Sequence, residues 1–137
     1  MMKAKRAREK ARAKSKRKIE TKTRSILQMK CIPCEGGIPP MPLEKINRYL
    51  KQIEDWSLEE QFGIYQITKE YKFKNFKEAI NFINKVADIA EAEGHHPDIY
   101  LYSYKRVKLT LYTHTISGLH ENDFIVAAKV DNMLKME

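Results

Sequence analysis

At 137 residues the chain has room for one domain with a real hydrophobic core, and not for two. Its net charge of +8 suggests nucleic acid until it is divided along the sequence: residues 1–28 hold twelve Lys or Arg against Glu9 and Glu20, a net of +10, which leaves −2 on residues 29–137. No apolar run reaches the length of a membrane span, the N-terminus lacks the apolar core of a secretory signal, and two cysteines make no disulfide framework; the expectation is a soluble, cytoplasmic protein.

Residues 1–28 read as a basic arm, disordered or singly helical, because a Lys/Arg/Ala run has almost nothing apolar to bury. Three readings of it stand: a solvated tail or an artefact of start-site choice, an arm for nucleic acid or another anionic surface, and a targeting segment. The folded domain is expected over 29–137. Met29 to Pro42 is rich in Gly and Pro and reads as a loop. Within it Cys31 and Cys34 have the spacing of half a zinc site, but no second pair completes a structural one, and the helix start of a redox motif is missing.

Leu43, Ile46, Leu50 and Ile53 share one face of a helix predicted over 43–53. Alternation then predicts a short strand over Trp56–Glu60, a turn near Gln61–Gly63, and a longer strand to Phe73 with Tyr65, Ile67, Tyr71 and Phe73 on one side. Asn75 with Glu78 three positions on starts a long helix whose predicted stripe is Phe76, Ile80, Ile83, Ala87 and Ala90, widened by Ala79 and Val86. Gly94 is the natural stop. Two antiparallel strands follow, Ile99–Tyr104 and Arg106–Thr113, joined by a tight turn at Lys105. Val107, Leu109 and Leu111 face the helices; Lys108, Thr110, Tyr112 and His114 share the other face. A last helix is predicted over Glu121–Met133, with Asp123 in its first turn, where the helix dipole favours a carboxylate. The order helix, two strands, helix, two strands, helix makes an α+β protein.

All four histidines fall between positions 95 and 120. Glu91, His95, His96, His114 and Asp123 together supply three imidazoles and two carboxylates, groups that move protons near neutral pH without a cofactor. Each comes from the end of a predicted element, and Glu91 with His95 is expected to leave the end of the long helix close together. A zinc site is the competing use of three His and an Asp, disfavoured because adjacent His95 and His96 on extended backbone do not aim at one ion.

The ordered set Glu91, His95, His96, Pro97, Tyr104, His114 and Asp123 resembles the signature of the pterin-4a-carbinolamine dehydratase family. The Cys-x-x-Cys-Glu-Gly-Gly loop, Trp56 and the segment Tyr71–Glu93 are similar to family members as well, so the resemblance runs over roughly Met29–Met133. It implies a four-stranded antiparallel sheet with three helices packed on one face, and dehydration of 4a-hydroxytetrahydropterin to quinonoid dihydropterin in tetrahydrobiopterin recycling. It further implies His95 and His114 as the acid/base pair, His96 as the residue that holds or polarises the pterin, and Glu91 and Asp123 as carboxylates that orient the imidazoles. No metal and no cofactor are implied, and a homodimer or homotetramer is. Where some members carry Asp, this chain has Gly94, and where some carry Trp it has Ile99 or Tyr100, so substrate binding is expected from Pro97, Tyr100 and Tyr104. His120 stands at the expected N-cap of the last helix, where Ser or Thr caps better. The alternative is a non-catalytic interaction protein on the same fold, a coactivator or assembly factor, for which five titratable groups in one place have no use.

Overall fold

The computed structural model describes residues 26–32 and 37–136. Helix α1 (Leu43–Leu50) starts after Pro42, which sits at its N-cap in extended backbone with φ −70°. Ile46 on its inner face is fully buried, and Tyr49 lays its ring 5.1 Å from that of Phe124. The helix stops three residues short of the expected Ile53, yet Ile53 still reaches the core from the turn that follows.

Strands β1 (Ser57–Gln61) and β2 (Ile64–Lys72) form a hairpin. Its loop is Phe62–Gly63, both at positive φ (54° and 76°), the two-residue connection whose twist suits a hairpin. Phe62 stands at the exposed tip, within the turn expected at Gln61–Gly63. Helix α2 (Phe76–Glu93) begins where Asn75 accepts from the Glu78 amide at 2.9 Å; the Glu78 carboxylate returns to the amide of Lys74 rather than to that of Asn75. Its buried stripe is Ala79, Phe82, Val86 and Ala90: Ala79, Val86 and Ala90 are among the expected positions, Phe82 is not, and Phe76 is half exposed. The helix is apolar on two adjacent stripes, and the rings of Tyr71 and Phe73, 4.7 and 4.9 Å from Phe82, select the stripe that faces the sheet.

Strands β3 (Asp98–Tyr102) and β4 (Arg106–Leu111) complete a four-stranded antiparallel sheet in the order β1-β2-β4-β3. Register sets Ile67 opposite Leu111 and Tyr71 opposite Val107, and the strand period of two gathers these with Leu109 on the face that the three helices cover. Helix α3 (Glu121–Lys135) is the most buried of the three, with Phe124, Ile125, Val126, Ala127 and Val130 in the core. One carboxylate ties it to the sheet: Asp131 accepts from Trp56 Nε1 at 2.8 Å, Tyr71 Oη at 2.7 Å and Lys69 Nζ at 2.9 Å. Burial, the nearby Asp131 charge and the hydrogen bond to it push the Tyr71 phenol far above its ordinary range.

Packing also extends ahead of Met29. Residues 26–28 are helical, Ile26 is 3% exposed and Leu27 lies against the core, so the folded unit includes the last residues of the segment read as an arm. The remainder of that arm, and Cys34 of the loop, lie outside the described residues. Among the described residues no helix is long and apolar enough to cross a membrane.

Candidate active site

The end of α2 is built by Gly94. It takes the left-handed conformation, φ 64°, that costs glycine least; its amide returns to Glu91 O at 3.4 Å and the His95 amide to Ala90 O at 3.1 Å. This closing turn throws His95 inward toward the start of α3. There His95 Nε2 meets Asp123 Oδ1 at 2.6 Å. Asp123 is fully buried, and its second oxygen accepts from Thr113 Oγ1 and from the His120 amide, each at 2.9 Å. Thr113 and the His120 amide donate to the carboxylate, the N-terminus of α3 adds its dipole, and as the acceptor of the pair Asp123 places the His95 proton on Nε2. His95 Nδ1 is left for a ligand. His120 caps α3 after all, Nδ1 accepting from the Asn122 amide at 3.1 Å while Asp123 returns to the His120 amide, a capping box closed by an imidazole.

His114 is not at the end of a strand. β4 stops at Leu111, and a bridge between Thr113 and Gly118 closes a small loop in which His114–Ile116 is a 3-10 turn. The loop buries Thr113 under Asp123 and leaves His114 exposed, its ring 4.2 Å from Tyr112. Glu91 pairs with His96 rather than with His95, at 3.7 Å between exposed side chains. That contact is a weak surface pair, since solvent screens it, and gives His96 a loosely held place at the rim.

His95, His96, Pro97, Tyr112 and His114 line one cleft of about 520 Å³, a volume suited to a small ring ligand. Two expected residues are not there. Tyr100 stacks on Tyr102 at 5.1 Å along β3, and Tyr104 stands in the β3–β4 turn at φ 53°; both are largely exposed and absent from the lining. Tyr112 is the aromatic ring beside the histidines instead. It sits on the face that the sequence pairs with His114, a signal already visible in the strand alternation.

The other wall comes from far along the chain. Cys31 and Ile32 line the cleft with Asn122 and Glu93, positions some 60 to 90 residues away in sequence that no local pattern connects. The Cys31 amide donates to Glu93 Oε2 at 2.9 Å, and Glu93 forms an ion pair with Lys129. Burial alone would raise the Glu93 carboxyl, but Lys129 and the Cys31 amide outweigh it and hold the group below its usual range. The Cys31 thiol is pushed up to about 12, by burial first and then by the Glu93 charge, so it stays protonated at neutral pH. Among the described residues no three His, Cys, Asp or Glu side chains converge as a metal site requires.

A family profile described as "Pterin 4 alpha carbinolamine dehydratase" matches residues 39–133. Two curated relatives, from Alkaliphilus metalliredigens and Halorhodospira halophila, are each 47% identical over 108 residues, 78% of this chain and 94% and 95% of theirs; both carry the name "Putative pterin-4-alpha-carbinolamine dehydratase". A solved structure from Brucella melitensis, titled as a transcriptional coactivator/pterin dehydratase, is 32% identical with a TM-score of 0.61, covering 69% of this chain and 97% of that one.

Proposed function

From the premise that the chain belongs to the pterin 4 alpha carbinolamine dehydratase family, we propose that it removes water from a 4a-hydroxytetrahydropterin in tetrahydrobiopterin recycling. In this reaction the C4a–O bond breaks, the departing oxygen takes a proton and leaves as water, and the N5–H bond gives its electrons to a new C4a=N5 double bond. One acid and one base suffice, and no redox partner enters.

The observation that carries the reading is the Asp123-backed His95 in one cleft with a second imidazole, His114. His95 Nδ1 is the base for N5–H, because the Asp123 carboxylate stabilises the imidazolium that forms. His114, exposed and unburdened by a carboxylate, protonates the departing hydroxyl. His96, paired with Glu91, holds the pterin at the rim, and Pro97 and Tyr112 offer apolar surface to the ring. Homo-oligomerisation and a cytoplasmic location belong to the same reading and rest on the family alone.

The test is an absorbance assay of carbinolamine dehydration. Wild type is expected to exceed the buffer rate, and His95→Ala and His114→Ala each to lower kcat by about 10²- to 10⁴-fold, the usual worth of a positioned acid or base. A wild-type rate equal to that of buffer sinks the enzyme reading and leaves the non-catalytic interaction protein.

A further inference from the structure

The geometry points to Ile32 as a substrate-contacting wall of the cleft and to Asn122 as the residue that positions it. Asn122 is 2% exposed, and both ends of its amide group grip one residue: Oδ1 accepts from the Ile32 amide at 3.1 Å and Nδ2 donates to the Ile32 carbonyl at 2.7 Å. This two-point grip reproduces the pairing of a sheet ladder, and it fixes the direction of the chain as well as its distance. The preceding residue is held separately. The Cys31 amide is bonded to Glu93, which Lys129 pairs in turn, and Cys31 Sγ donates to the Asn122 carbonyl at 3.6 Å.

Four contacts from α2 and α3 therefore hold residues 31 and 32 in the lining of the cleft, yet Ile32 is 58% exposed. Anchored backbone carrying an exposed branched aliphatic chain in a cleft with three imidazoles is what a flat apolar ring face needs on its second side. The protonated Cys31 thiol adds packing to that wall and no nucleophile. Asn122 also directly precedes Asp123, so the first turn of α3 sets both the wall and the His95 dyad. The wall and the dyad hang on neighbouring but separate side chains of one rigid element, so the grip on Ile32 can be removed while the Asp123 carboxylate stays.

The inference rests on the dehydratase reading for the ligand, a reduced pterin, and its test separates the two. Equilibrium dialysis with an unreactive 7,8-dihydropterin reports binding without turnover, and steady-state dehydration reports KM against kcat. Ile32→Ala, a surface change that does not threaten folding, and Asn122→Ala are each expected to weaken binding and raise KM by roughly three- to tenfold, the share of a few methylene contacts, with the loss on KM rather than kcat. The double variant is expected to be no weaker than Asn122→Ala alone, because an unpositioned wall has nothing left to lose. Unchanged affinity in Ile32→Ala, or a loss in Asn122→Ala confined to kcat, overturns the inference. Dihydropterin binding that responds to Ile32→Ala in a protein with no turnover keeps the wall and removes the enzyme; no binding at all removes both.

Discussion

Asp123 is the residue on which the site turns. Its two oxygens collect donors from three elements: His95 after α2, Thr113 after β4, and the His120 amide before α3. An amide at this position keeps one acceptor for Thr113 and the His120 amide but presents an N–H₂ group to His95, which forces the imidazole proton onto Nδ1, the atom that the proposed mechanism uses as a base. Asp123→Asn is accordingly expected to lower kcat by about 10²- to 10⁴-fold with little change in KM, as a wrong tautomer does. Near-UV circular dichroism identical to wild type excludes misfolding as the cause; a kcat within threefold of wild type refutes the assigned role. The pairing of Glu91 with His96, by contrast, joins two exposed side chains, and the sequence spacing that suggested Glu91 and His95 as partners was overruled by the left-handed turn at Gly94. A carboxylate four residues before an imidazole pairs with it only while the helix continues between them.

At the scale of elements, the site depends on how the loop ahead of α1 is laid against the loop ahead of α3. Met41 donates its amide to Leu119 O at 3.0 Å, and Pro40 crosses directly over Gly118. A Cβ on Gly118 would stand 2.5 Å from the Pro40 Cβ, closer than two carbons pack. Gly118→Ala must therefore move one loop off the other, at a cost of about 1 to 3 kcal/mol by analogy with overpacked cores, which a thermal melt reads as a Tm lower by several degrees. An unchanged Tm would show that the crossing is not tight. The bridge that closes the 113–118 loop accounts for a miss: β4 ends at Leu111 and His114 leaves the strand, although alternation carries it to Thr113. Period two identifies which residues share a face and does not mark where pairing stops.

For the whole molecule, the hub at Asp131 joins layers that the apolar pattern alone leaves free to slide. Trp56 ahead of β1, Lys69 and Tyr71 in β2 and the C-terminal half of α3 meet at one carboxylate that is 12% exposed. Asp131→Ala strands an indole N–H, a phenol and an ammonium in a low-dielectric setting, so the expected loss is about 2 to 5 kcal/mol. Urea denaturation should show a lower midpoint at unchanged slope, whereas removal of the exposed carboxylate of Asp88 on α2 should stay within about 0.5 kcal/mol. Equal midpoints for the two variants would reduce the hub to a surface contact. Fold stability and the site are thus served by different halves of α3, its first turn facing the cleft and its later turns facing the sheet.

The sequence by itself determined the fold class, the element order and the three histidines that line the cleft, because strand and helix periods, the Asn75 cap, the Gly94 stop and a spaced histidine motif are all local signals. It also carried the separation of charge that leaves the folded domain slightly acidic. Only the tertiary structure decided which of two adjacent apolar stripes of α2 is buried, that His95 belongs to Asp123 and His96 to Glu91, that Tyr112 rather than Tyr100 or Tyr104 lines the cleft, and that Cys31, Ile32 and Asn122 form its second wall. Those outcomes depend on contacts between residues up to 91 positions apart, and no period along a chain encodes which of its equally apolar or equally polar groups will meet.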